Sequence, residues 1–166
     1  MSDQKSVGEL FEMAIAAERA AEELYRRLGQ MFAHHSQATA FWQRYAIEEA
    51  GHAKMLKYLR DRLTPEQLAQ PAEASMLQKA HRTLELSIDN LLSKIKNLED
   101  AYQLASELEN SETNAVCEFL IDNFAADEKT QIFLRAQLRD HVGHLIADLP
   151  AQLRGVANRQ AVKVIE

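Results

Sequence analysis

The chain has one cysteine, three prolines and five glycines among 166 residues. A lone cysteine, Cys117, excludes an intrachain disulfide and any four-cysteine zinc or iron site. So few Gly and Pro, in a sequence dominated by Ala, Leu, Glu, Gln, Lys and Arg, argue against a sheet protein and predict an all-α chain. No basic cluster accompanies the net charge of −6, and aromatic residues are not interleaved with Lys or Arg, so nucleic acid is not an expected partner. No stretch approaches the roughly 20 apolar residues that span a bilayer, and Met1 to Gly8 lacks the basic and apolar regions of a signal peptide. A soluble, cytoplasmic chain with no membrane partner is expected. Its length suits a single domain with a sizeable core.

What is present is helical periodicity. The spacing predicts core helices over residues 7–32, 39–62, 98–124 and 127–149, the last stopped by Pro150. His34, His35, Ser36 and Gln37 read as the turn between the first two. Such a short connection makes its helices antiparallel neighbours. Thr64-Pro65-Glu66-Gln67 has the form of an N-cap, a first-turn proline and a capping-box glutamine. Another helix, over 74–96, is expected to carry the chain back to its starting end. Residues 1–150 thus read as an antiparallel four-helix bundle whose long crossover contains an additional helix, with 151–166 as a C-terminal tail.

Ionisable residues interrupt the apolar faces. On the second helix, Trp42, Tyr45, Glu49, His52, Leu56 and Leu59 share one side, which places a carboxylate and an imidazole toward the core. A buried charge needs a compensating partner, and Glu-x-x-His at one-turn spacing converges on a point that suits a metal ion. Glu18 lies in the first helix's apolar stripe. An internal repeat aligns Val7, Leu10, Phe11, Ala14, Ala17 and Glu18 with Leu98, Ala101, Tyr102, Ala105, Leu108 and Glu109. Glu112 follows on the same face as Glu109. Several inward acids repel one another unless they are protonated or held by cations, and two metal ions would neutralise them directly. Trp42 and Tyr45 are expected in the core, and His34, His35 and His81 in solvent. Cys117 reads as an inert thiol with no base beside it.

With Glu18 and Tyr25, the segment Glu48-Glu49-Ala50-Gly51-His52-Ala53, and Leu108-Glu109-Asn110-Ser111-Glu112, the chain resembles the rubrerythrin-like branch of the ferritin-like superfamily over residues 7–149. The resemblance implies a ferritin-like bundle, usually dimeric, holding two non-haem iron ions, with manganese or zinc as alternatives. It implies an oxidoreductase that reduces peroxide or oxidises ferrous iron with oxygen or peroxide. Glu49 would bridge the metals, and Tyr25 reads either as a core aromatic that hydrogen-bonds a ligand carboxylate or, as its family position implies, as a redox-active neighbour. Where the family carries its second Glu-x-x-His, this chain reads Arg139-Asp140-His141-Val142-Gly143-His144. His141 and His144 are therefore the expected ligands on the fourth helix, with Asp140 an alternative. The four-cysteine electron-transfer module found in some relatives is absent, so electrons would come from a separate donor such as a rubredoxin-like protein. A bundle that sequesters iron without turnover, and a scaffold with a degraded site, are the alternatives.

Overall fold

A computed structural model describes residues 4–109 and 112–148. They form α1 (Val7–Met31), α2 (Ser36–Asp61), α3 (Pro65–Ala69), α4 (Ala74–Leu84), α5 (Ile88–Ser93), α6 (Leu98–Glu109), α7 (Glu112–Phe124) and α8 (Glu128–Asp148). The chain is all-α. Among the described residues the only β-type pairing is an isolated bridge between Ser6 and Pro71. The proposed tail over 151–166 lies outside the described residues.

Local sequence sets the boundaries. Ser6 and Glu9 form a capping box at the start of α1, satisfying backbone N–H groups that a helix end leaves orphaned. Thr64 and Gln67 do the same for α3, with Pro65 at its first position, as the sequence predicts. The turn between α1 and α2 is shorter than expected, because α2 begins at Ser36 rather than at residue 39. His35 has a role there after all: its Nδ1 accepts from Ala38 N at 3.4 Å and caps the helix. The crossover is two short helices, not one running from 74 to 96. Residues 85–87 are not helical, and Ser87 starts α5 by accepting from Asn90 N, a competition that serine's short hydroxyl wins at helix starts. The third core helix, expected over 98–124, is described as α6 and α7.

α1 and α2 make the most extensive helix pairing, and α4 packs on both α1 and α7. The buried apolar residues separate into two clusters. One gathers Phe11, Ala14, Leu56, Leu59, Val116, Leu120, Leu134 and Leu138. The other gathers Leu24, Leu28, Trp42, Tyr45, Ala46, Ala105 and Leu145. α1 and α8 enter the first cluster and leave through the second, whereas α2 and the α6–α7 stretch run the opposite way. The crossover passes from Ala80 in the first cluster to Leu92 in the second, which returns the chain to the end where α6 begins.

In each of the four core passages, through α1, α2, α6–α7 and α8, a buried ionisable residue lies between the clusters. Glu18 lies between Ala14 and Leu24, Glu49 between Ala46 and Met55, Glu109 between Ala105 and Val116, and His141 between Leu138 and Leu145. The helices therefore bring their buried polar residues to one level, sandwiched between two apolar layers.

Candidate metal centre

Five side chains meet at that level, all buried: Glu18, Glu49, His52, Glu109 and His141. Glu49 stands in the middle. Its Oε2 lies 3.3 Å from His52 Nδ1, and its Oε1 lies 2.9 Å from His141 Nε2. Behind His52 is Glu18, whose Oε2 is 3.6 Å from the same Nδ1. Beside His141 is Glu109, whose Oε2 is 2.9 Å from Nε2. The arrangement is two acid–imidazole pairs, Glu18 with His52 and Glu109 with His141, facing one carboxylate that can serve both. One ligand atom from each of Glu49, His52 and His141 falls within 4.8 Å of the others. The imidazole rings stand edge to face with centroids 4.5 Å apart.

His141 is oriented from behind. Its Nδ1 lies 2.5 Å from Glu48 Oε2, and Glu48 is in turn paired with Arg44 at 3.2 Å. When Nδ1 carries the proton for Glu48, Nε2 presents its lone pair to the centre, the arrangement that fixes the tautomer of a metal-binding histidine. Although Nε2 is close to two carboxylates, it makes a directed hydrogen bond with neither. A buried ring nitrogen aimed at converging oxygens without a hydrogen bond of its own fits a cation-binding position.

Tyr25 donates from Oη to Glu109 Oε1 at 2.5 Å, so the tyrosine stands against a candidate ligand carboxylate. Cys117 overturns its expected isolation. It is fully buried, and its Sγ donates to Glu18 Oε1 at 3.0 Å. The base beside the thiol comes from another helix, 99 residues away in sequence, so no local pattern reveals it. Glu48 was likewise missed by the face pattern, because it sits one residue off the apolar stripe of α2 and its partner is on α8.

The remaining candidates fall elsewhere. His144 and Asp140 are exposed on α8, leaving His141 as that helix's inward residue. The reason is periodic: His141 continues the line of Leu134, Leu138 and Leu145, and His144 is turned off it. Glu112 begins α7, but its side chain lies outside the described residues. His81 is exposed and pairs with Glu85 at 3.1 Å.

The electrostatics are those of a site holding protons where cations would go. Burial pushes the Glu49 carboxyl up, and the charges of Glu109 and Glu18 push it further, well above the ordinary carboxylate range. Burial acts the same way on Glu18, but hydrogen bonds with Glu49 and His52 and the His52 charge outweigh it and hold the carboxyl low. Glu109 is also held low, since His141, Glu49 and Tyr25 together overcome its burial. Burial disfavours a charged imidazole, yet Glu18 and Glu49 bring His52 up to about 9. Glu109, Glu48 and Glu49 likewise bring His141 up to about 12. In the metal-free cluster Glu18 and Glu109 thus favour the ionised form and both imidazoles the protonated form, and Glu49 is the carboxyl most disposed to keep a proton.

A cavity of about 50 Å³ opens onto the centre. Glu18, Glu49 and Glu109 line it, and Ala21, Leu24, Leu86, Ile88 and Leu91 are among its apolar walls. Space of this size takes a ligand of a few heavy atoms. Among the described residues, no helix is long and apolar enough to cross a membrane. No family model matches the chain, and neither a curated protein nor a solved structure matches it.

Proposed function

We propose that this chain is a ferritin-like four-helix bundle that binds two metal ions, iron foremost, and uses them as a rubrerythrin-like oxidoreductase on peroxide or dioxygen. The observation that carries it is the position of Glu49, whose two oxygens face two separate acid–imidazole pairs. Such a donor set of carboxylates and imidazoles suits iron, manganese or zinc, and helices that each project one or two inward ligands are how bundles build dinuclear sites.

In this proposal Glu18 and His52 hold one ion, Glu109 and His141 hold the other, and Glu49 serves both. Reduced iron in those positions would supply the two electrons that cleave an oxygen–oxygen bond. The protein's own part is to place five donors, to exclude bulk water by burying them, and to admit a small oxidant. Leu86, Ile88 and Leu91 contribute apolar walls to the cavity, which favour small uncharged molecules over hydrated ions. Tyr25 holds Glu109 in place through its phenol. Glu48 holds His141 through Nδ1.

Elemental analysis of protein purified from iron-replete cells tests the metal assignment. About two irons per chain are expected for the dinuclear ligand set. Protein that stays metal-free after anaerobic ferrous loading overturns it. Sustained peroxide consumption with a supplied reductant separates turnover from sequestration, because a storage bundle oxidises its iron once and stops.

A further inference from the structure

Tyr25 does more than touch Glu109. Its ring is stacked with that of Trp42, with centroids 5.9 Å apart and planes inclined by 17°. Trp42 is stacked in turn with Tyr102, at 5.3 Å and 28°. Tyr25 and Trp42 are fully buried, whereas Tyr102 on α6 is partly exposed. Three oxidisable rings thus form a continuous path from a candidate ligand to the protein surface. Phe41 packs edge-on against both Trp42 and Tyr102 and walls the path, but a phenyl ring is too hard to oxidise to take part in it.

We propose that Tyr25, Trp42 and Tyr102 form an electron relay between the buried carboxylate–histidine cluster and the surface of α6. The proposal rests on the redox reading above and supplies what that reading needs, since a chain with one cysteine has no four-cysteine iron site of its own. Electron tunnelling weakens exponentially with distance, so two short steps between neighbouring rings outpace one long step through aliphatic side chains.

The hydrogen bonding differs along the path in a way that suits each step. Tyr25 has a carboxylate acceptor, so it can give one electron to the oxidised metal pair and its phenolic proton to Glu109 Oε1. Trp42 then gives an electron to the Tyr25 phenoxyl, which takes its proton back from Glu109. Trp42 Nε1 is buried without a hydrogen-bond partner, so its radical cation keeps the N–H proton and needs only an electron to be restored. Tyr102 supplies that electron and releases its proton to water. A soluble one-electron reductant, either a small molecule or a reduced electron-transfer protein, reduces Tyr102, which recovers a proton from solvent. One electron crosses per cycle and no proton is left behind.

Tyr45 offers an alternative exit, but its ring meets Tyr25 at 61° and 6.3 Å, and its hydroxyl is bound to Asp148. It serves as the control.

The relay is tested on the metal-free full-length chain by flash oxidation with photogenerated ruthenium(III) tris-bipyridine, trapping radicals for electron paramagnetic resonance. The expected product is a tyrosyl radical that disappears in Tyr25→Phe. Tyr102→Phe and Trp42→Phe should each abolish the Tyr25 radical, and Tyr45→Phe should leave it unchanged. Tyr102→Phe is the decisive variant, because its ring is partly exposed and the substitution removes only a hydroxyl. An undiminished Tyr25 radical in Tyr102→Phe, or its loss in Tyr45→Phe, overturns the relay. In iron-loaded protein, Tyr102→Phe should slow reduction by a soluble donor with iron content unchanged. A photolysis result that holds in a protein unable to bind iron would retain the relay and refute the redox reading. Normal turnover with an unaffected Tyr102→Phe would do the reverse.

Discussion

Glu48 Oε2 and His141 Nδ1 are 2.5 Å apart, and this contact between α2 and α8 aims the other imidazole nitrogen at Glu49 and Glu109. Glu48 thereby sets which nitrogen of His141 is free to bind. Replacing it with glutamine keeps the volume but weakens the acceptor and its grip on the tautomer. Glu48→Gln is expected to reduce metal affinity about 10- to 100-fold, the usual effect of losing such a supporting carboxylate. Competition titration against a chelator of known affinity measures it, and an unchanged affinity would show that His141 is held by other means.

Metal binding should expel protons. His52 and His141 are raised to about 9 and about 12 and hold protons near neutral pH in the metal-free chain, so filling both positions is expected to release about two protons per chain, and more to the extent that Glu49 also holds one. Calorimetry in buffers of different ionisation enthalpy counts them. The sign for stability follows from His52, raised from 6.5 to about 9. Its contribution to the metal-free fold is complete below pH 6.5 and is lost as pH rises through about 9. Metal affinity should move the opposite way over that span, increasing as His52 gives up its proton. Thermal melts across this range, with and without metal, check both trends.

Glu49 should separate stability from function. Burial and the charges of Glu109 and Glu18 push its carboxyl up toward the neutral form, which glutamine mimics. Glu49→Gln is expected to leave the metal-free chain within about 1 kcal/mol of the parent, or more stable, the pattern seen where a site is kept at a cost to the fold. The rise in melting temperature on adding metal should disappear. A metal-induced rise equal to that of the parent would remove Glu49 from the site.

Cys117 is expected to resist thiol reagents in the folded protein and to react fully once it is unfolded. Burial and the nearby Glu18 charge both push its thiol well above the ordinary range, so little thiolate forms. Cys117→Ser keeps a donor for Glu18, whereas Cys117→Val leaves that carboxylate without it. The valine variant should be less stable than the serine variant by about 1–3 kcal/mol, the cost of stranding a buried acceptor. Denaturant melts of the two variants compare them directly.

Much of the centre was legible because helical periodicity is local. Glu18, Glu49, His52 and Glu109 each break an apolar stripe, and the repeat relating α1 to α6 pointed to Glu109 as the counterpart of Glu18. His141 followed from its place in line with Leu134, Leu138 and Leu145. What the sequence could not show were contacts made between helices. Glu48 looks like any solvated glutamate until α8 is set against it, and Cys117 has no acid on its own helix face that would reveal Glu18. His144 shows the opposite limit. Its spacing from His141 satisfies a ligand motif, but one residue's rotation about the helix turned it to solvent. The crossover differed for a similar reason: apolar periodicity continued through residues 85–87, while the cap formed by Ser87 ended one helix and began another.

The layer of acids and imidazoles between the two apolar clusters also works as a registration mark. Hydrophobic helices can slide past one another by a turn and still bury leucines, so apolar packing alone tolerates several alignments. Sliding α1 or α8 by one turn here would carry a buried ionisable group away from its partners and toward an apolar cluster, a costly displacement. Only one vertical alignment of the helices brings all five groups together, so the residues that form the candidate centre also select the alignment in which the chain folds.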